Sequence, residues 1–253
     1  PPLAAALDIT LVIDDNYRPT TRLCQPDSHP HVPWITYAQF QKRPQDYDLL
    51  VYQLGDEPNL HGYMFHALHR YPGLLLLHDL VLHHALVELT LNRGNADAYV
   101  AEMHYSYGDE ADRLVRQVLA GQGEMIYNRY PLVERVLDNS LAAIVSNDYM
   151  RERISVLRPE MPVRCVPYHF YLPEGFPADF DGAAFRRSLG LDRCPVIATY
   201  GLFNSQKRLE VSLQAFKRLR RRYPSAIYLL VGAPMGDVGL QARLDALGLQ
   251  DSV

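Results

Sequence analysis

Short apolar runs of strand length recur along the chain, separated by segments with helical spacing. The runs are 9–13, 48–53, 73–78, 141–146, 163–167, 195–201 and 226–232. They are close to continuously apolar rather than strictly alternating, which predicts strands covered on both faces. Between them the period changes. In 207–223 the residues Leu209, Leu213, Phe216 and Leu219 step by four, three and three, placing them on one stripe of a helix. Strand and helix repeating in this order predict a doubly wound α/β sheet. The stretch 95–139 departs from that rhythm: it reads as helical throughout, punctuated at Gly108, Gly121 and Pro131. Two segments read as loops. Pro19, Pro26, Pro30 and Pro33 keep 16–33 out of regular structure, and Pro173, Gly175, Pro177 and Gly182 do the same for 168–182. The alternation starts afresh after the second loop. Two domains are expected, 1–172 and 183–253.

The ends carry an expectation too. The chain opens on Pro1-Pro2-Leu3 without a methionine, reads as the end of a helix feeding a strand, and stops at Val253 where a helix has finished. Both ends are expected to be interior positions of a longer protein.

Composition narrows the chemistry. Among 253 residues, 25 Lys plus Arg face 29 Asp plus Glu, a net charge of −4. A mildly acidic chain has no general attraction for phosphate backbones, so nucleic acid is not an expected partner. No apolar run approaches the roughly 18–20 residues that span a bilayer, so no transmembrane segment is expected. Cys24, Cys165 and Cys194 are odd in number and have no CxxC spacing. That argues for a reducing compartment, against a disulfide framework and against a cysteine zinc site. No secretory signal is visible, so the expected location is cytoplasmic.

The common nucleotide and hydrolase motifs, GxxxxGK[ST], GxSxG and HExxH, are absent, and Gly121-Gln122-Gly123 follows no strand. Two strand ends carry more. At the first, Thr199-Tyr200-Gly201 closes an apolar run, a short polar loop follows, and a helix is expected to open with Lys207 and Arg208. Backbone N–H groups at a helix start, together with two cations, make a cradle for a diphosphate. Two solvated side chains at a surface helix are the plainer reading. At the second, Leu74–Leu77 delivers His78 and Asp79 to the carboxyl edge, where open α/β sheets hold ligands. His78 there is suited to a sugar hydroxyl or a departing phosphate; a capping Asp79 beside a packed His78 is the alternative. A metal site from His78, Asp79, His84 and Glu88 can be drawn, but such clusters arise readily in a chain with ten histidines, and no metal is expected. Gln53, Gly55, Asp56 and His61, with Tyr63, end another strand and offer polar groups for acceptor hydroxyls. The basic run 217–222 falls at a helix C-terminus, where cations favour the dipole, and reads as a solvated helix end.

The segments Tyr47–Gly55, Arg70–His84, Gly201–Arg208, Ala215–Pro224 and Ile227–Gly232 together resemble bacterial family 4 glycosyltransferases, in order and over nearly the whole chain. The resemblance implies a GT-B architecture of two Rossmann-like domains, both incomplete here. It implies retaining transfer of a sugar from a UDP- or GDP-linked donor to a hydroxyl of a glycan or lipid, in glycan biosynthesis, with no cofactor and no metal. By it Gly201, Lys207 and Arg208 bind the donor diphosphate, and His78 is the catalytic residue facing the donor sugar. The chain departs from the family in having Leu202 where many members have Arg. The family's Gly-rich loop is expected before Pro1 and its E-x7-E motif beyond Val253, so the chain is expected to be incomplete for activity. A non-catalytic nucleotide- or partner-binding module of the same fold is the competing reading, and an epimerase a further one.

Overall fold

In a computed structural model, the structure describes residues 6–17, 32–168, 175–203, 207–233 and 239–253. The N-terminal helix end, most of the first proline-rich loop with Cys24, and part of the second loop lie outside the described residues. The chain divides into two compact units, Pro1–Phe170 and Tyr171–Val253.

In the first unit β1 (Leu11–Ile13) pairs in parallel with β2 (Trp34–Thr36), Leu11 opposite Trp34. The three-residue β2 has no counterpart in the apolar pattern, being too short to show a period. Thr36 then starts α1 (Tyr37–Phe40) through a capping box: its hydroxyl accepts the N–H of Gln39 while the Gln39 side chain accepts the N–H of Thr36. Next come β3 (Val51–Leu54), α2 (Pro58–Arg70) and β4 (Gly73–Leu77). A helical block follows: α3 (His83–Leu89), α4 (Ala96–Tyr107), α5 (Ala111–Gln117), α6 (Gly123–Tyr127) and α7 (Glu134–Asp138). It breaks at Gly108, at a π turn containing Gly121 with φ 80°, and at Leu132 after Pro131. The unit closes with β5 (Ser140–Val145), α8 (Asp148–Leu157) and β6 (Val163–Cys165).

Strands β3-β4-β5-β6 form one wholly parallel sheet in that order, so all their carboxyl ends reach the same rim. Leu54, Leu75, Leu77 and Val145 face Ala67 and Leu68 of α2, Val136 and Leu137 of α7, and Met150 and Ile154 of α8. Each large side chain so buried stabilises the unit by about 1.5–3 kcal/mol relative to exposure. A second core, Tyr99, Met103, Leu114, Val115, Ile126 and Leu132, knits the helical block together.

The second unit contains α9 (Gly182–Ser188), β7 (Val196–Tyr200), α10 (Leu209–Arg220), β8 (Ile227–Val231) and α11 (Leu240–Leu247). Asp181 caps α9, accepting the N–H groups of Ala183 and Ala184. Strands β7 and β8 are parallel, Val196 opposite Ile227. The stripe of α10 is buried at Leu209, Leu213 and Phe216, against Tyr228 and Leu244. The basic run does end this helix, where Arg220 donates to the carbonyl of Pro224 at 2.7 Å.

The expectation of strands covered on both faces is corrected at two places. Strand β3 alternates, with Tyr52 and Leu54 buried in the core and Val51 and Gln53 exposed, so only one of its faces is covered. Strand β7 is largely exposed, because its sheet has two strands among the described residues. No described helix is long and apolar enough to cross a membrane.

Candidate functional site

The carboxyl ends of β3 and β4 bring residues from three sequence segments together. The N–H of His78 donates to the carbonyl of Leu54 at 2.8 Å, carrying the parallel ladder one residue past β4 and setting His78 beside Gly55. A side chain at Gly55 would have no room: its Cβ would lie 2.9 Å from Asp79 Oδ2, 3.4 Å from His61 Nε2 and 3.4 Å from His78 Cβ. The glycine lets the β3 loop close on these three residues. The imidazoles of His61 and His78 are 6.2 Å apart between ring centres.

The two carboxylates here hold loops in place. Asp79 Oδ2 accepts the N–H of Asp56 at 3.0 Å. Asp56 accepts the N–H of Ala85 at 2.8 Å and pairs with His84 Nδ1 at 2.8 Å. Ala85 is the third residue of α3, and Leu82, at the cap position, makes no side-chain cap bond. Asp56 therefore caps α3 from the neighbouring loop, correcting the alternative in which Asp79 was the cap. Burial pushes the Asp56 carboxyl above the usual carboxylate range, against the opposing pull of the Ala85 N–H and His84. Burial also pushes His61 below the ordinary imidazole value, more strongly than the backbone of Gln53 raises it. Its Nδ1 is buried and makes no hydrogen bond of ordinary geometry. His61 is thus a neutral ring at physiological pH.

His78 has a partner that the sequence pattern did not single out. Its Nδ1 lies 2.9 Å from the hydroxyl of Tyr168, whose ring stands nearly parallel to the imidazole, at 12° and 6.0 Å between centres. Tyr168 lies 90 residues further along the chain. It reads in the sequence only as the first residue of a loop.

The other candidates divide. Gln53 lies within β3 on its exposed face. Tyr63 donates to the carbonyl of Val12 at 2.8 Å, bracing β1. His83 is fully buried between the Tyr130 carbonyl, 2.5 Å from Nδ1, and the Tyr99 hydroxyl, 2.7 Å from Nε2. His84 is committed to Asp56 and Glu88 accepts from Asn92. No group of three metal-ligating side chains assembles among the described residues.

In the second unit Gly201 follows β7 with φ 102°. The parallel ladder continues beyond the strands: Gly201 N–H donates to Val231 and Phe203 N–H to Ala233, each at 2.9 Å. The chain comes so close here that a Cβ on Gly232 would lie 1.9 Å from the carbonyl oxygen of Gly201. On Gly201 itself the position a Cβ would take is 3.9 Å from Lys207 Nζ, so the ammonium lies over this glycine. The intervening 204–206 lie outside the described residues. Arg208 is left-handed at φ 49° and occupies the cap position, and α10 begins only at Leu209. This corrects the expected helix opening: both cations precede the first turn, and that turn instead carries Glu210, an acid where the macrodipole favours one. The start of α10, a glycine free of side-chain bulk and an ammonium lie together here, an arrangement of the kind that suits an anion.

Two depressions lie elsewhere in the first unit. One of about 220 Å³ sits among α2, α3, α4 and α7. The other, shallow and about 340 Å³, lies by Asp138, Arg158 and Met161 at the amino rim of the sheet. Neither includes a strand-end residue described above. No protein-family model matches the chain, and no curated protein is significantly similar to it.

Proposed function

We propose that the chain belongs to a retaining glycosyltransferase of GT-B type that takes a UDP- or GDP-linked sugar. The observation that carries the reading is the ammonium of Lys207 over Gly201, at the carboxyl end of a parallel strand and just ahead of α10. In sugar transfer the bond from the anomeric carbon to the diphosphate breaks as a bond to an acceptor hydroxyl oxygen forms on the same face. The hydroxyl proton passes to the departing phosphate oxygen. Negative charge therefore builds on the diphosphate, and a cation with helix N–H groups is what that charge needs. Lys207 and Arg208 supply the cations, and Gly201 leaves the phosphates room to approach the backbone.

In the first unit His78 serves the reacting sugar, while Gly55, Asp56 and His61 shape the acceptor side. Asp56 does so indirectly, its carboxylate being engaged by α3. A second reading, a nucleotide-binding module without transfer, is favoured by Leu202. This residue is 53% exposed where the family resemblance calls for a cation.

Calorimetric titration of the full-length protein with UDP and GDP tests the assignment. One of the two is expected to bind, and Lys207→Ala to weaken it at least about tenfold by removing a charge-assisted contact. Equal affinity in the variant, or no binding of either diphosphate, sinks the donor site. Binding without any turnover of the corresponding nucleotide sugar favours the module.

A further inference from the structure

We infer that Tyr168 is a positioning residue that fixes which nitrogen of His78 carries hydrogen, making His78 a hydrogen-bond donor toward its ligand through Nε2. The inference deepens the reading above, on which His78 faces a sugar, although the tautomer itself stands on the geometry alone.

The argument starts from the 2.9 Å contact between His78 Nδ1 and the Tyr168 hydroxyl. A neutral imidazole has one nitrogen that donates and one that accepts. A phenol is a better acid than a neutral imidazole N–H, and a bare imidazole nitrogen is a far better base than a phenol oxygen. The contact is therefore O–H donating to Nδ1. With Nδ1 accepting, the ring hydrogen must sit on Nε2, and that atom can only donate.

Two further features hold the arrangement. The rings are nearly parallel, which keeps the phenol beside the imidazole, and the backbone of His78 is tied to Leu54. His83, five residues away, shows the opposite choice. Its Nδ1 faces a backbone carbonyl, which cannot donate, so Nδ1 carries the hydrogen and Nε2 accepts from Tyr99. The two histidines of one strand–helix junction are thereby set in opposite tautomers by their partners.

The consequence concerns ligand class. The group facing His78 Nε2 must offer a lone pair: a hydroxyl oxygen of a sugar, or a phosphate oxygen. An ammonium or guanidinium group is excluded at that atom, and neutral His78 cannot take the acceptor's proton through Nε2.

The test is long-range ¹H–¹⁵N spectroscopy of the chain labelled at histidine, read on neutral imidazoles, with the His78 signals assigned from their loss in His78→Ala. The expected wild-type spectrum has hydrogen on Nε2 and a hydrogen-bonded bare Nδ1, the Nε2–H form in excess by at least about tenfold, the scale of one net hydrogen bond. In Tyr168→Phe the ring stays and the hydroxyl goes. The Nδ1 signal is expected to move to its non-bonded position and the excess to fall several-fold, while the His83 signals stay put. Tyr168 is 64% exposed, so the unfolding temperature of this variant is expected to match wild type. Hydrogen on Nδ1 of His78 in the wild type overturns the inference, as does a Tyr168→Phe spectrum identical to wild type. The glycosyltransferase reading fails on a different measurement, the diphosphate titration, and that failure leaves the tautomer result intact.

Discussion

Among single residues, His83 has the most sharply defined state. Burial lowers its pKa to about 4, opposed by the bond to the Tyr130 carbonyl and helped by neighbouring His84. The groups that touch its ring are uncharged, Tyr99, Tyr127 and the Tyr130 backbone, and the titratable neighbour, His84, is paired with Asp56. A base whose folded pKa lies below its unfolded value of about 6.5 binds a proton more readily when unfolded. Its neutral form therefore supports the fold fully above about pH 6.5. That support is lost as pH falls toward about 4 and changes no further below it. The loss amounts to about 3 kcal/mol at most. Urea unfolding at a series of pH values is expected to show this decline. In His83→Gln the stability between pH 6.5 and 4 is expected to be flatter, although lower at neutral pH; an unchanged slope contradicts the assignment. The sequence shows His83 only as one of two adjacent histidines. Nothing in a linear pattern distinguishes it from His84, because its partners Tyr99 and Tyr130 come from α4 and from the loop after α6.

At the scale of elements, the strand ends in both units depend on glycines that allow backbone to meet backbone. Gly232 is the sharper case, since any Cβ there would overlap the Gly201 carbonyl oxygen. Gly232→Ala must push the carboxyl ends of β7 and β8 apart, and a loss of about 1–3 kcal/mol in the second unit is expected from overpacking of this kind. The same opening displaces Gly201 from beneath Lys207. Diphosphate affinity is then expected to fall with stability, whereas Gly190→Ala, which is strained by its φ of 69° although a Cβ there meets nothing within 4 Å, is expected to cost stability and leave affinity unchanged. Titration of the two variants against UDP and GDP checks the contrast. The main strands and the stripe of α10 were legible in the sequence because apolar period alone sets them. The three-residue β2 was not, nor was the capping of α3 by Asp56. That cap joins residues 29 positions apart, and local capping rules look only at the residue directly ahead of the helix. The placement of Lys207 and Arg208 was misread for a related reason: the left-handed backbone at Arg208 is rare for a side chain of that size and carries no signature in residue type.

Across the whole molecule, the two units differ in how much they bury. Among the described residues the first has two cores, one around the four-stranded sheet and one in the helical block, while the second has one small cluster beneath two strands. Local opening follows buried contact density. Amide exchange is therefore expected to be slowest at Leu75, Leu77 and Val145 and clearly faster along β7 and β8; β7 amides outlasting those of β4 would contradict this. The α/β class and the parallel sense of the main sheet were legible, since continuous apolar runs separated by helices leave few other arrangements. The tie between Tyr168 and His78 was not, because it joins two loops that approach only once the sheet has formed.

The common direction of β3–β6 has a practical side. The turn 158–162 enters β6 at its amino end, whereas His78 leaves β4 at the carboxyl end, so the two are separated by the length of a strand, on the order of 15–20 Å. Glu160, exposed in that turn, is accordingly a place to attach a fluorophore or tether the protein to a sensor surface at a distance from the imidazole rim.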